Sequence, residues 1–317
     1  MTILLGEVLD SCRYVVEQAK YARINHQKIR EVAKDLEVSG GTHWLKSSPF
    51  NILDFDVKTL VDFLLTYHAM GFSFWGDPKW TIDTPDGKSD GSYALLYALV
   101  RQVRSDDDFL LPSNLRKISF AKMREILKGN VEIPLLELRH ANLVQVGKVV
   151  DEKMGGDFYR YIMDIHRDSD LLDLVVDSFE FFRDACRYKG RTICFYKLAQ
   201  VLVSDILRGR ALKEKIKADW THLTGCADYK LPQILRSLGV LEYCERLKSL
   251  VDNKIEIDGG SSYEVEIRAS TLVAIDEIKR QLDGRVCAMA ISECLWLMGQ
   301  DKSRVREPYH LTRTGFY

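Results

Sequence analysis

Apolar side chains recur along most of this chain at the spacing of an amphipathic helix. The clearest run covers 57–68, where apolar residues stand at i, i+3, i+4, i+7 and i+8 behind Asp56, a favourable N-cap, and ahead of Gly71. A second run with the same period covers 195–206. The same criterion predicts helices near 3–20, 93–104, 119–128, 134–154, 170–183, 231–238, 241–251, 270–282 and 286–298. The pattern therefore predicts a mainly α protein.

Strand signals are few, and all are short. Residues 72–75 and 79–83 precede a Pro-Asp-Gly turn, and residues 263–267 alternate apolar with charged side chains. The chain has no repeat at a fixed period, no low-complexity tract and no Pro/Ser-rich linker. We therefore predict a single helical domain over 1–317 with small β-hairpin insertions, in which 1–40 forms an N-terminal helical extension.

Composition and charge exclude several classes of protein. Hydrophobic residues make up 46% of the 317 positions, and 45 Lys and Arg stand against 46 Asp and Glu. Such a chain can bury a core, but it has no net positive field for a nucleic-acid polymer or an anionic membrane. The longest apolar stretch, 93–100, is far shorter than the roughly 20 residues of a membrane span, and the N-terminal residues do not resemble a signal peptide. We expect a soluble, cytoplasmic monomer that binds no membrane and no nucleic-acid polymer stably.

Neither the cysteines nor the histidines follow a metal-binding motif. The seven cysteines include no C-x-x-C pair, and the seven histidines occur at neither H-E-x-x-H nor zinc-finger spacing. We expect reduced thiols, no metal site and no other cofactor.

Two residues could place opposite charges in one cleft. Lys197 lies on the polar side of the predicted 195–206 helix, so its ammonium could face a cleft, although a plain surface lysine is the commoner case. Asp228 comes just before the helix predicted over 231–238, where Pro232 suits the first turn. Its carboxylate could cap that helix or present a fixed negative charge to a cavity. The pattern leaves these alternatives open.

Aromatic and polar clusters give further candidates. Four aromatic residues within 72–80 could belong to the core or form a stacking wall for a flat heterocycle. Two polar groups could be a solvated helix face and an ordered terminus, or could bind a small phosphorylated ligand through Arg and His. They are Glu137, Arg139 and His140 in the first group, and His310, Arg313 and Tyr317 in the second.

Seven segments occur in an order and spacing that cover most of the chain. They are FSFW at 72–75, GSYAL at 91–95, IPLLELRH at 133–140, FYKLAQ at 195–200, ADYKLPQ at 227–233, EVEIR at 264–268 and PYHLTRTGFY at 308–317. Together they resemble the queuosine salvage family, the queuosine 5'-phosphate N-glycosylase/hydrolases. The resemblance implies a fold similar to the helical DNA glycosylases, which agrees with the helical periodicity.

The resemblance also implies a reaction and a set of site residues. The reaction is hydrolysis of the N-glycosidic bond of queuosine 5'-monophosphate to queuine and ribose 5-phosphate, for queuine salvage into tRNA modification. Asp228 would be the nucleophile or the stabiliser of an oxocarbenium-like transition state, and Lys197 would orient that carboxylate, bind the ribose or position water. Candidate substrate-binding residues are His43, Phe74, Trp75, Ser92, Tyr93, Glu137, Arg139, Tyr196, Tyr229, His310, Arg313 and Tyr317.

Within that set, the three phosphate-binding candidates Arg139, His310 and Arg313 follow from side-chain chemistry alone. The alternative is a non-catalytic nucleobase-binding or tRNA-associated helical adaptor protein. A glycosylase acting on polymeric nucleic acid is disfavoured because no Gly-rich hairpin precedes Asp228 and the net charge is near zero.

Overall fold

The computed structural model describes residues 5–36, 44–47 and 50–317. Most of this described chain is helical, so the prediction of a mainly α protein is confirmed. The helices are α1 (Leu5–Gln18), α2 (His26–Asp35), α3 (Trp44–Ser47), α4 (Val57–His68), α5 (Gly91–Ser105), α6 (Pro112–Leu115), α7 (Phe120–Ile126), α8 (Leu136–Lys153), α9 (Phe158–Ile162), α10 (Asp168–Ser178), α11 (Lys197–Glu214), α12 (Lys230–Ser237), α13 (Glu245–Asp252), α14 (Ser262–Gln281) and α15 (Ala288–Met298).

Short strands in the described residues form antiparallel pairs. The pairs are β1 (Ala22–Ile24) with β6 (Leu241–Tyr243), β2 (Thr81–Thr84) with β3 (Gly87–Asp90), and β4 (Ala185–Tyr188) with β5 (Arg191–Cys194). The β2–β3 and β4–β5 pairs are local hairpins, and the first is closed by the Pro-Asp-Gly turn, where Gly87 has φ of 113°. The β1–β6 pair instead joins distant parts of the chain, because Arg23 stands opposite Glu242.

Helix α14 lies in the centre of the molecule and is buried along most of its length. It packs against α1, α2, α12 and α15. Ser261 caps the helix, since its hydroxyl accepts a hydrogen bond from the Glu264 amide at 3.4 Å, and Glu264 accepts one from the Gly260 amide at 3.1 Å. One hydrophobic cluster around this helix includes buried side chains from Val8 to Leu295.

The strand predicted over 263–267 is wrong, because these residues belong to α14. Their charged members are buried and paired, which hides the helical period. Glu266 accepts hydrogen bonds from the backbone amides of 20–22 at 2.6 to 3.2 Å and from the Tyr188 hydroxyl at 2.8 Å. Arg268 forms ion pairs with two buried carboxylates. A helix without a solvated face lacks the polar stripe by which periodicity identifies it.

Two other predicted elements need correction. Residues 72–75 form an irregular segment, in which Ser73 has φ of 41° and its carbonyl oxygen accepts a hydrogen bond from Arg139 at 3.2 Å. Arg139 also donates to the carbonyl of Phe72. The guanidinium therefore makes hydrogen bonds to this segment that a neighbouring strand would make in a sheet. The helix predicted over 241–251 begins only at α13, because its first residues form β6.

The predicted helix over 57–68 has the bounds of α4, and the Asp56 carboxylate accepts a hydrogen bond from the Thr59 amide at 2.8 Å, as an N-cap does. Helix α4 packs along α11. The described part of the extension predicted over 1–40 contains α1, β1 and α2, while 1–4 and 37–40 lie outside the described residues. None of the described helices combines the length and apolar composition that crossing a bilayer requires.

Candidate active site

A cavity of about 470 Å³ is lined by the starts of α5 and α12, by α11 from Lys197 to Arg208 and by one side of α15. Its lining includes the buried carboxylates of Asp205 and Asp228, further charged groups that are partly or fully exposed, and several aromatic rings. Lining residues that bear on the chemistry are Trp44, His68, Phe74, Trp75, Lys79, Asp90, Ser92, Tyr93, Lys197, Asp205, Arg208, Cys226, Asp228, Tyr229, Lys230, Glu293, Trp296, Lys302, Tyr309 and Tyr317. Lys197 and Asp228, predicted from separate helices, therefore share one cavity.

Asp228 is buried in this cavity and is held by the start of α12. Its Oδ1 accepts hydrogen bonds from the backbone amides of Lys230 and Leu231, each at 2.8 Å. No donor among the described residues reaches its Oδ2 within hydrogen-bond distance. The two alternatives left open by the sequence are thus both realised, because the same carboxylate caps a helix and lines a cavity.

Lys197 begins α11, directly after Tyr196, whose φ of 49° turns the chain into the helix. The Lys197 side chain lines the cavity, and its backbone amide donates to the Asp184 carboxylate at 3.2 Å. No ion pair joins Lys197 to Asp228 within the described part of the chain. The Asp228 carboxylate is therefore oriented by backbone amides, and Lys197 is available to a bound ligand.

The pKa of the buried Cys226 thiol depends on the charged groups that line the cavity. Burial raises the pKa of Cys226 to about 12, while the positive charge of Lys197 opposes this shift and the negative charges of Asp228 and Asp205 add to it. All three charged groups therefore lie near the Cys226 sulfur atom. The thiol stays protonated near neutral pH.

One buried arginine connects the segments that carry Asp228 and Lys197. Arg268 donates to the Asp184 carboxylate, with Nη1 to Oδ1 at 2.9 Å, and its Nε donates to the Ala227 carbonyl at 2.9 Å. Asp184 in turn accepts from the Lys197 amide. The Arg268 guanidinium also lies between the rings of Phe195 and Tyr317, 3.9 and 4.4 Å from their centres. We call Asp184 and Arg268 the buried clamp.

Aromatic rings line the cavity on several sides. The predicted wall residues Phe74, Trp75, Tyr93 and Tyr229 all lie in the lining, as does Tyr317. The Tyr93 ring meets Trp296 edge to face with centres 5.9 Å apart. Such walls suit a flat heterocycle, because stacking excludes water from both of its faces.

Comparison with known proteins gives the relationship of this chain. The family model described as queuosine salvage protein matches residues 53–317. This chain belongs to the queuosine salvage protein family. A protein of Sphaerobacter thermophilus named queuosine 5'-phosphate N-glycosylase/hydrolase is 35% identical over 98% of this chain and 97% of its own length. Proteins with the same name from Mus musculus, 30% identical over 86% of this chain and 84% of that protein, and Bos taurus, 27% identical over 97% and 98%, also match.

The resemblance identified from the seven segments is thus confirmed. The three phosphate-binding candidates, Arg139, His310 and Arg313, lie outside the cavity lining. Arg139 is buried and donates to the carbonyls of Met70, Phe72 and Ser73, and burial lowers its pKa to about 9. Its guanidinium is occupied in holding the irregular 72–75 segment. The structure places Arg139 in the core, outside the cavity lining.

His310 and Arg313 are also placed elsewhere than expected. His310 is buried beside the Tyr317 hydroxyl at 3.3 Å, and burial, together with the charge of Arg268, lowers its pKa to about 3, so the ring is neutral. Arg313 is exposed, pairs with Glu256 at 3.3 Å and covers the Trp75 ring at 4.3 Å. Neither side chain belongs to the lining residues of the cavity.

Three further candidates complete the comparison with the sequence. Tyr196 is buried, and its hydroxyl donates to the Cys194 sulfur at 3.2 Å rather than facing the cavity. Glu137 is exposed on the first turn of α8, away from the lining. His43 lies outside the described residues. Ser92, in contrast, lines the cavity at the start of α5.

A buried carboxylate of the site, Asp205, is absent from the candidates that the sequence offers. Asp205 accepts hydrogen bonds from the Trp44 indole at 3.0 Å and shares one with His68 Nε2 at 2.8 Å. Both residues lie on the apolar stripes of their helices. Asp205 is seven residues after Leu198, and His68 is four residues after Leu64. A charged residue on an apolar stripe needs a buried partner, and that signal could have identified the pair.

One set of side chains in the described ranges has the spacing of a metal site. Ligand atoms of Asp168, Asp219 and His222 all lie within 4.8 Å of one another. Asp168 already accepts hydrogen bonds from the backbone amides of Ser169 and His222 at 2.8 and 2.9 Å. The three residues lie outside the cavity lining.

Proposed function

We propose that this chain hydrolyses the N-glycosidic bond of queuosine 5'-monophosphate and releases queuine and ribose 5-phosphate. The observation that carries the proposal is the joint placement of Asp228 and Lys197 in one aromatic-walled cavity. The names of the similar proteins from Sphaerobacter thermophilus, mouse and cattle support the substrate.

Asp228 stabilises the reacting sugar. Cleavage of an N-glycosidic bond passes through a ribose with oxocarbenium character, so positive charge develops at the anomeric carbon. Two amide hydrogen bonds hold Oδ1 of Asp228 in place at the start of α12. A preoriented carboxylate in a partly dry cavity stabilises the cation by its field, or forms a covalent glycosyl intermediate that water then opens.

The base leaves with little help from protonation. Queuine is a 7-deazaguanine, in which carbon replaces N7, so the usual site for protonating a departing purine is absent. The sugar cation therefore bears more of the barrier, and the carboxylate contributes correspondingly more. The flat ring fits between the aromatic walls, and its cationic aminomethyl group fits the acidic part of the cavity around Asp205 and Glu293.

Lys197 binds the ribose or the attacking water rather than Asp228 itself. Its ammonium forms no ion pair with Asp228 in the described structure, so its hydrogen bonds are available to a sugar or to water in the same cavity. A hydrogen bond from Lys197 to a sugar hydroxyl or to water would help to hold the reacting groups in position around the anomeric carbon.

Asp228→Asn tests the catalytic assignment. Asparagine keeps a capping oxygen, so α12 and the fold should persist, while the charge disappears. We expect release of queuine from queuosine 5'-monophosphate to fall on the order of 10³-fold with near-normal substrate binding. Asp56→Asn is the matched control, because Asp56 caps α4 away from the cavity. Equal turnover by Asp228→Asn and wild type would refute the assignment.

Lys197→Met should also lower turnover strongly, measured in the same assay of free base. Its control is Lys213→Met on the same helix, since the Lys213 ammonium donates to the Leu53 carbonyl at 2.7 Å outside the cavity. An adaptor protein would bind the nucleotide and release no base, with wild type and Lys197→Met behaving alike. That result would contradict the proposed hydrolase and favour the non-catalytic adaptor protein.

We propose further that the active form is a cytoplasmic monomer that acts on the free mononucleotide and not on tRNA. A single-phosphate ligand predicts a shallow dependence of binding on salt, whereas a polymer predicts a steep one. Titration of wild type with tRNA at rising salt, and the mass of the active species in solution, test these statements. Tight, salt-sensitive tRNA binding would contradict the mononucleotide substrate.

A further inference from the structure

A buried glutamine joins the segments that carry Lys197 and Asp228. Gln200 lies in the first turn of α11 and is fully buried. Its Nε2 donates to the Phe195 carbonyl and to the Thr224 hydroxyl, both at 2.8 Å. Its Oε1 accepts from the Thr224 amide at 2.8 Å and from the Thr224 hydroxyl at 3.0 Å. We call this set of hydrogen bonds the Gln200 bridge.

The hydrogen-bond partners fix the orientation of the Gln200 side-chain amide. Such an amide has two N–H donors and an oxygen with two lone pairs, and the bridge uses all four. The backbone N–H of Thr224 can only donate and the carbonyl of Phe195 can only accept, so the amide oxygen must face Thr224. Leaving a buried polar group without a partner costs free energy, so the bridge resists displacement of either segment.

Both ends of the bridge lie close in sequence to the proposed catalytic pair. Phe195 is two residues before Lys197, and the intervening Tyr196 has φ of 49°. The bridge therefore holds the turn through which the chain enters α11. Thr224 is four residues before Asp228. A shift of either end would change the separation between the Lys197 ammonium and the Asp228 carboxylate.

Other helices fix the remainder of the segment 224–228. The Cys226 amide donates to the Ser292 hydroxyl of α15 at 3.1 Å. The Ala227 carbonyl accepts from Arg268 of α14 at 2.9 Å. Hydrogen bonds from α11, α14 and α15 therefore converge on the short segment that ends at the catalytic carboxylate.

The bridge can act on the reaction only through the groups that it holds, because Gln200 and Thr224 lie outside the cavity lining. We propose that Gln200 is a positioning residue for the hydrolysis, which sets the separation and orientation of Lys197 and Asp228. Displacement of catalytic groups by about 1 Å can lower a rate on the order of 100-fold. The aromatic wall at 74–75 belongs to another segment, so substrate affinity should change little.

This inference rests on the proposed function, and its test includes a measurement that does not depend on turnover. The variants are Gln200→Met, which removes the bridge, Thr224→Val, which removes its hydroxyl, and Thr224→Ser, which keeps that hydroxyl. Thr271→Val is the matched control, because the buried Thr271 hydroxyl donates to the Ile267 carbonyl at 2.8 Å outside the cavity lining. Each protein is assayed for kcat and KM of queuine release, for its urea midpoint and for hydrogen exchange of the amides of 230–231.

We expect kcat to fall on the order of 100-fold in Gln200→Met and about tenfold in Thr224→Val, with KM within about threefold of wild type. Thr224→Ser should restore kcat nearly to the wild-type value. Thr271→Val should lower the urea midpoint about as much as Thr224→Val does and leave kcat unchanged. The amides of 230–231 donate to the Asp228 carboxylate, and they should exchange faster in Gln200→Met than in wild type or Thr271→Val.

An unchanged kcat in Thr224→Val or in folded Gln200→Met, or an equal loss of kcat in Thr271→Val, would overturn the inference. If Gln200→Met does not fold, the two Thr224 variants decide by the same criteria. If wild type releases no queuine, the proposed function fails. Faster exchange at 230–231 in Gln200→Met or Thr224→Val would then still support the bridge as the contact that positions Asp228, and unchanged exchange would overturn it.

Discussion

Loss of Arg268 is expected to affect both stability and catalysis, because this side chain belongs to the buried clamp. In Arg268→Met the Asp184 carboxylate keeps its burial and loses its bidentate partner, and Glu264 loses its contact at 3.3 Å. Breaking a buried ion pair from one side costs about 3 to 5 kcal/mol. Domains of this kind are stable by roughly 5 to 15 kcal/mol, so the variant should fold but with a clearly lower urea midpoint.

A double-mutant cycle separates the ion pair from simple loss of packing. Asp184→Asn in the Arg268→Met background removes the stranded charge, so the double variant should be more stable than the sum of the single effects predicts, by roughly 1 to 3 kcal/mol. Arg268→Lys keeps the charge but not the planar fork that reaches both Asp184 and the Ala227 carbonyl. It should therefore recover less than half of the lost stability. Additive single effects, each below about 1 kcal/mol, would refute the clamp.

The catalytic part of this prediction concerns position rather than contact with substrate. Arg268 holds the carbonyl of Ala227, the residue before Asp228, and Asp184 holds the amide of Lys197. Below its unfolding transition, Arg268→Lys should therefore show a lower kcat for queuine release with a KM near that of wild type. A variant that loses stability but keeps kcat would show that the clamp supports the fold alone.

Two further predictions concern stability away from the cavity. Burial raises the pKa of Asp62 from 3.8 to about 6, although the Lys58 ammonium at 2.6 Å opposes the shift. Because the pKa is higher in the folded protein than in the unfolded chain, the protonated carboxyl contributes stability below about pH 4, and this contribution is lost as the pH rises through 6. Asp62→Asn should therefore gain on wild type between pH 4 and 7 by on the order of 3 kcal/mol in urea unfolding, and a pH-independent difference would contradict the raised pKa. Gly147→Ala would place a methyl 2.2 Å from the Arg116 amide nitrogen, where α8 packs on α6. We expect the free energy of unfolding to fall by about 1 to 3 kcal/mol in the same assay. An unchanged urea midpoint would show that the two helices can move apart at no cost.

The sequence predicts a helix best where the signals that define it are local. Helix α4 is predicted to its ends because its N-cap and its apolar stripe both lie within the segment itself. Helix α14 was partly read as a strand, because its polar side chains find partners such as Tyr188 and Asp184 that are far away along the chain. Local patterns cannot show such pairings, since they are created by the fold.

The same distinction applies to the site. The local pattern leaves the roles of Asp228 and Lys197 open, and the resemblance to the family assigns them to catalysis; the structure places both in the cavity lining. Arg139 and His310 were chosen for their chemical type, but burial commits one to backbone carbonyls and leaves the other neutral. Charge on a side chain indicates what it can bind, and only its surroundings decide whether it is free to do so.

The double role of the Asp228 carboxylate limits which residues can replace it. Glutamate would retain the negative charge, but its longer side chain would move the acceptor away from the amides that begin α12. Asparagine would retain the acceptor and discard the charge. A single exchange of oxygen for nitrogen would thus convert the proposed hydrolase into a receptor that captures its nucleotide and keeps it intact, which is the form best suited to trapping a complex with unreacted substrate.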